Sequence, residues 1–243
     1  VGLAFDRATN SLFIGEGFRR VLRLNPDGSL STVAGTGFSG TSGDGGLATA
    51  ALFSNVRDIA LDPARRVLYV ADAGANRIRA IDLATGIIQH HAGIRITNSP
   101  NLIFAGSFSG DGGPGASAGL NFPTALTIAS DGALLVSDTS NNRIRRLTSV
   151  INTVAGRRRN LAEGPAADLE LSDLSDIQFT AAGDLIVAIR SEGVVGRISS
   201  GRFSVIAGVR PDDRSALTDT FSFFPARIST GVAPTSGPAN RVT

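Results

Sequence analysis

The groups able to do chemistry in this 243-residue chain are few in kind. There are 21 acidic residues, 23 basic residues that are all arginine, two histidines and no cysteine. Without cysteine there is no thiolate metal site, thiol nucleophile or disulfide, and the compartment is left open. His90 and His91 are neighbours in sequence. On a strand their side chains leave opposite faces, so they cannot grip one metal ion together. A Ser-His-Asp relay would have to be built on one of them. The remaining candidates are carboxylates and guanidiniums: Asp58 and Asp176, Asp72 with Arg77, Asp138 with Arg143, and the isolated Asp44 and Asp111. A Ca²⁺ site needs six to eight oxygens, and Asp44 and Asp111 each stand alone in a glycine-rich stretch. No phosphate-cradling loop or dinucleotide fingerprint is present.

The net charge is only +2, and the high pI reflects the scarcity of groups titrating between histidine and arginine. That balance makes no general case for nucleic acid or an anionic membrane. No apolar run approaches the roughly 20 residues of a membrane-spanning helix. The chain has no methionine, which leads us to expect a processed chain or a piece of a longer one.

The elements that must hold these residues repeat four times. Their first parts read GLAFD (2–6), DIALD (58–62), ALTIA (125–129) and DIQFT (176–180). The second parts are SLFIGE, VLYVAD, ALLVSD and DLIVAI, and the third RRVLRL, NRIRAI, NRIRRL and GRISSG. The fourth are STVAG, QHHAG, NTVAG and SVIAG. Each part is a short β-branched or leucine-rich run bounded by turn residues, which is the signature of a strand. Asn10-Ser11, Asp131-Gly132 and Gly183-Asp184 supply tight turns between first and second parts. Helical periodicity is confined to single turns at 48–52 and 165–171. Four-stranded antiparallel units in tandem predict a β-propeller.

The stretches Val-Ala-Asp-Ala-Gly-Ala-Asn-Arg-Ile (70–78) and Val-Ser-Asp-Thr-Ser-Asn-Asn-Arg-Ile (136–144) resemble the core of NHL-repeat propellers. So does the linker Gly110-Asp111-Gly112-Gly113-Pro114 with Leu120-Asn121-Phe122-Pro123, which has a degenerate copy at 43–53. The resemblance implies an all-β, NHL-type propeller forming a single domain over 1–243. Its blades are expected at about 1–57, 58–124, 125–175 and 176–226, with a partial fifth at 227–243, in a parent of about six. NHL modules with such linkers resemble those of secreted or cell-surface proteins, so an extracellular or cell-surface location is expected.

In an up-and-down blade the links between units share a face with the bend from second to third strand. The long linkers, at 36–56, 94–124, 157–175 and 209–226, make this the expected binding face. Asp72, Arg77, Asp138 and Arg143 stand at its bends, each Asp expected to accept from the bend backbone and each Arg to cross to it or to a neighbouring blade. Phe38 and Phe108, in Gly-Phe-Ser-Gly and Ser-Phe-Ser-Gly, are expected at matching places as anchors pinning the linkers. Blade one has Glu16 and Arg20 at the bend, and blade four has Ile189 with a longer bend to Arg197. Where each first strand starts, NHL repeats commonly carry glycine; this chain has Gly2, Asp58, Ala125, Asp176 and Arg227. Asp58 and Asp176 would then point to the mouth of a central channel and hold a cation or meet a basic partner.

Related propellers include enzymes. The amidating-lyase type needs a zinc held by three histidines, and lactonase and strictosidine-synthase-like propellers need channel carboxylates. No catalytic constellation and no cofactor or metal site is expected here. RNA binding, through Arg157-Arg158-Arg159, is disfavoured because so few aromatics are available for stacking. The reading is a non-enzymatic scaffold that binds a protein partner or other copies of itself.

Overall fold

The computed structural model describes residues 2–17, 19–94, 106–156, 164–169 and 171–208. These form four antiparallel sheets, each a meander from an inner to an outer strand. The first comprises β1 (Leu3–Asp6), β2 (Ser11–Glu16), β3 (Arg20–Leu24) and β4 (Leu30–Ala34). The second holds β5 (Val56–Asp62), β6 (Val67–Asp72), β7 (Arg77–Asp82) and β8 (Ile88–Ala92). The third holds β9 (Pro123–Ile128), β10 (Leu134–Asp138), β11 (Arg143–Leu147) and β12 (Ile151–Ala155). In the fourth, β14 (Leu174–Phe179), β15 (Leu185–Ile189), β16 (Val194–Ser199) and β17 (Arg202–Ala207) are joined at the outer edge by β13 (Gly164–Pro165). Among the described residues helix is limited to 3₁₀ turns, including Ala48–Ala50, Gly115–Ser117 and Ala166–Asp168 in the linkers. The partial fifth unit expected at 227–243 lies outside the described residues.

One local device repeats in every sheet. The pairing of third and fourth strands shifts register at Val21/Leu22, Ile78/Arg79, Ile144/Arg145 and Val195/Gly196. Just beyond each shift stands the glycine of the fourth part: Gly35, Gly93, Gly156 and Gly208, at φ of +87°, +97°, +87° and +99°. A Cβ on any of them would lie 2.1–2.4 Å from the carbonyl oxygen of Arg19, Asn76, Asn142 or Gly193. Glycine is needed both for the left-handed backbone and for the close approach.

The same repeat shows how the fourth sheet departs from the sequence reading. Val194 pairs with Ile189 as Arg77 pairs with Asp72. The bend is therefore not longer, and Val194, rather than Arg197, stands where Arg77 does. Arg197 is half exposed and only 3.9 Å from Asp184.

The linkers do more than connect. The Gly-Asp-Gly-Gly stretch preceding a sheet runs back along that sheet's outermost strand. Gly45 N donates to Ile88 O and Ile88 N to Gly46 O, both within 3.0 Å. Gly112 and Gly113 do the same with Ile151, and β13 with β17. The outer strands β8, β12 and β17 thereby lose part of their free edge, the usual liability of an exposed strand.

What fastens the linker is charge. Arg145 is fully buried; its Nη2 donates to Asp111 Oδ1 at 2.9 Å and Ser109 O at 3.1 Å, and its Nη1 to Asp138 Oδ2 and Gly119 O, both at 3.2 Å. Asp138 Oδ1 in turn accepts from Asn121 N at 2.7 Å. Truncating one member of such a set leaves buried charge unanswered. We expect Arg145→Ala to destabilise the chain by about 3–5 kcal/mol. Arg146→Ala, which breaks the exposed pair with Asp131, should cost less than about 1 kcal/mol. Urea unfolding of the two variants checks this, and equal losses would remove the clasp from the account.

Candidate functional site

The inner strands β1, β5, β9 and β14 lie side by side in that order, which brings their starting residues together. There they line a cavity of about 380 Å³, bordered by Gly2, Arg57, Asp58, Ala125, Ser175 and Asp176 among others. Asp58 and Asp176 both border this cavity. Asp58 Oδ2 accepts from Leu126 N of the next sheet at 2.7 Å, and Asp176 Oδ1 from Ile177 N at 2.8 Å. Gly2 makes room for this, since a Cβ there would fall 2.2 Å from Asp58 Oδ1. Burial pushes the Asp58 carboxyl up to about 6, against the pull of the Leu126 and Ile59 amides, and the nearby Asp176 charge adds to the rise. Burial also raises Asp176. Both carboxylates border this one cavity, as does the basic side chain of Arg57. Among the described residues no set of three His, Cys, Asp or Glu is grouped to hold a metal ion.

The loop-rich face carries the other candidates. Asp72 and Arg77 are joined, with Arg77 Nε 3.4 Å from Asp72 Oδ2. Asp72 Oδ1 accepts from Ser54 N and Asn55 N, so it grips the linker rather than the bend. Asp138 departs from its expected pairing. Its buried partner is Arg145, while Arg143 donates to Gly156 O at 2.7 Å and stacks 3.9 Å from the centre of the Phe108 ring. Both arginines leave the same face of β11 and stack on Phe108, and Arg145 is the one that reaches the linker aspartate Asp111. Arg79 is the counterpart of Arg145, with Nε 2.8 Å from Asp44 Oδ1 and Nη1 2.9 Å from Leu52 O. Arg77 Nη1 also reaches Asp44, at 3.1 Å. Sequence reasoning missed Arg79, Arg145 and the structural use of Asp44 and Asp111. The signal was there, because Arg-Ile-Arg and Gly-Asp-Gly-Gly occur together in the two central units.

Phe38 and Phe108 are not equivalent. Gly40 N donates to Phe53 O as Ser107 N does to Leu120 O, which aligns Phe108 with Thr41. Phe38 is 75% exposed, whereas Phe108, 43% exposed, has Arg143 and Arg145 stacked on its ring. Arg227 and Arg157–Arg159 lie outside the described residues. A second cavity, of about 420 Å³, opens on this face between Arg19, Ser54, Asn55, Asn76, Asn121 and Phe122. Asn76, left-handed at φ +52°, donates its backbone N–H to Ala73 O and accepts Phe122 N on its side chain at 2.7 Å. The two histidines stand apart from both cavities. His91 packs 4.8 Å from the Tyr69 ring, and His90 Nε2 lies 3.3 Å from Ala116 O.

Radially arranged four-stranded meanders with linkers and an acidic mouth at one end define a β-propeller module. Residues 120–147 match the NHL repeat. The chain is 28% identical over 173 residues to Protein SUPPRESSOR OF QUENCHING 1, chloroplastic, of Arabidopsis thaliana. The match takes in 70% of this chain but only 16% of that relative. Among solved structures, a protein of unknown function from Bacteroides thetaiotaomicron superposes with a TM-score of 0.61 at 17% identity, covering 84% of this chain and 46% of that one. A nidogen/laminin complex matches at 0.56 and 15% identity, covering 86% and 65%. Virginiamycin B lyase of Staphylococcus aureus matches at 0.52 and 17% identity, covering 84% and 54%. These structural likenesses establish the fold.

The raised Asp58 gives a signed prediction. A carboxyl whose pKa rises on folding favours the folded state below the unfolded value near 3.8, and that contribution is lost as pH climbs through about 6. Asp58→Asn keeps an acceptor for Leu126 N and removes the titration. The variant should gain stability relative to the parent between pH 4 and pH 7, by roughly 1–3 kcal/mol. Parallel denaturant titrations would show it, and curves that stay parallel across that range would disprove it.

Proposed function

We infer that this module is a non-enzymatic binding scaffold whose loop-rich face meets a protein partner, with Asp58 and Asp176 receiving a basic side chain at the channel mouth. One observation carries the reading most. Two linkers on that face are tied to the sheets through the fully buried Arg79 and Arg145, so a partner would meet an irregular surface that is already ordered and lose little entropy on binding. The exposed Phe38 ring adds an apolar contact on the first linker. The nidogen/laminin likeness is compatible with such use of the fold.

A channel-site enzyme is the competing reading. It draws on the raised pKa of two carboxylates sharing a cavity, and on the lyase among the structural relatives. The extracellular or cell-surface setting belongs to the proposal, resting on the linker resemblance. The chloroplastic relative makes an organelle the alternative that localisation of a tagged full-length parent would decide.

The functional test is crosslinking in the native source followed by peptide sequencing, with three variants compared. Phe38→Ser and Asp58→Asn with Asp176→Asn should lower recovery of the crosslinked partner about tenfold or more. Asp131→Ala, in a hairpin turn on the opposite face, should leave recovery unchanged. A divalent-metal-dependent lactonase or lyase turnover that Asp58→Asn abolishes would replace the scaffold with an enzyme.

A further inference from the structure

The cavity of about 420 Å³ on the loop-rich face is walled by the first three sheets and their linkers, and its lining differs from that of the channel mouth. Among the described residues no carboxylate borders it. Its polar lining is mostly uncharged: Ser54, Asn55, Asn76, Asn121 and Ser140. The main chain around it is already engaged. Ser54 N and Asn55 N donate to Asp72, Asn121 N to Asp138, and Ser140 N to Asn121 O. The side chains of Ser54, Asn55, Asn121 and Ser140, by contrast, make no hydrogen bond among the described residues.

Asn76 is the most telling of the set. It is only 8% exposed. Its Oδ1 takes the Phe122 N–H, which fixes the amide and leaves both donors of Nδ2 without a partner among the described residues. Polar groups this deeply placed are ordinarily satisfied. Nδ2 is not sealed by protein, and the cavity is what it opens on.

Two further lining residues depart from the repeat. At the bend whose carbonyl meets the fourth-part glycine, the later sheets have Asn76, Asn142 and Gly193, which tolerate a left-handed backbone. The first sheet has Arg19 there, at φ +76°. Immediately before the inner strand, the fourth sheet has Asp173 and the third has Phe122, both at φ +52°. Long or bulky side chains in that region are strained, and such strain collects where ligands are clamped. Arg19 Nε donates to Ser54 O at 3.2 Å, and no carboxylate among the described residues pairs with its two Nη groups. The Arg57 guanidinium lies 5.2 Å from the centre of the Phe122 ring.

We propose that this cavity binds a sugar that bears a carboxylate, a hexuronate unit of an acidic glycan. Arg19 offers the acid the two Nη groups of a planar fork. The asparagines and serines both donate and accept, as ring hydroxyls require. Phe122 supplies an apolar surface for the C–H edge of a pyranose. The volume suits a small-molecule site. A phosphate would call for backbone amides, and those nearby are spent. A protein anchor would call for a pocket dominated by apolar side chains. The site needs no protein partner and uses neither Asp58 nor Asp176, so crosslinking in the native source can fail while it holds.

Isothermal titration calorimetry tests it, with circular dichroism confirming that each variant is folded. The probes are oligomers of D-galacturonate and of D-glucuronate, neutral oligomers of D-galactose and of D-glucose, acetate and inorganic phosphate. One of the uronates should bind with a dissociation constant below about 1 mM, and the neutral sugars about tenfold more weakly. Acetate and phosphate should not saturate. Arg19→Gln should bring the acidic sugar down to the neutral level. Asn76→Asp keeps the acceptor for Phe122 N but sets a negative charge in the cavity, and should abolish uronate binding. The milder Asn55→Ala should weaken acidic and neutral sugars alike, by about tenfold. Asp58→Asn, at the other cavity, should change nothing. Four results would overturn the proposal: no saturable binding of either uronate; acetate or phosphate binding as tightly as the uronate, which would leave a simple anion site; neutral sugars binding as tightly as acidic ones; or folded Arg19 and Asn55 variants that bind like the parent.

Discussion

A guanidinium sealed from water must have its charge answered on the spot, and in this protein Arg77, Arg79 and Arg145 are answered by carboxylates from separate segments. Asp44 and Asp111 come from linkers, while Asp72 and Asp138 end the second strands of the sheets. Desolvating these groups is costly, so the pairs add less to stability than their number suggests. What they add is position. The linker cannot move without stranding a charge, and its amides at Ser54, Asn55 and Asn121 are held by the same aspartates. In the first sheet Leu22 stands where Arg79 does, and in the fourth Gly196 does, with the Phe203 ring 2.0 Å from where its Cβ would be. The sheets therefore do not need the clasp to form. The loop-rich face needs it in order to hold one shape.

Between sheets the governing constraint is size. A bulky aliphatic layer meets a layer of alanine, valine, isoleucine and one larger side chain, and the two fill the wedge between radiating sheets. The larger residue is Phe13, Tyr69 or Leu135 at the three successive contacts. The inner strands are thereby brought close enough for Asp58 to accept a hydrogen bond from the next sheet, with Asp176 sharing its cavity. The acidic mouth is a product of the same packing that forms the core.

Most of the architecture was legible in the residues, because each strand, turn and fourth-part glycine recurs in type and spacing. The convergence of Asp58 and Asp176 was legible too, since both occupy a position where the repeat favours glycine. Other features were not. The pairing of Asp138 with Arg145 depends on which of two arginines on the same strand face reaches the aspartate, and spacing alone leaves that open. Phe38 and Phe108 were matched by their flanking residues, but hydrogen bonds to Phe53 and Leu120 reveal a three-residue offset between the linkers. In the fourth unit the arginine of Gly-Arg-Ile imitated that of Asn-Arg-Ile and shifted the alignment by three positions. The backbone pairing of Val194 with Ile189 restores it.

The way each linker runs back along the outer strand that follows it has a consequence for how such a chain can be cut, duplicated or spliced. The structural unit does not coincide with the span from one inner strand to the next. A segment removed at the start of an inner strand leaves behind the stretch that guards its own outer edge, and delivers a sheet with bare backbone donors. Breaks immediately after Gly35, Gly93 or Gly156 keep linker and sheet together. Insertions, deletions and designed permutations of this repeat should therefore be tolerated in that phase and scarcely in any other.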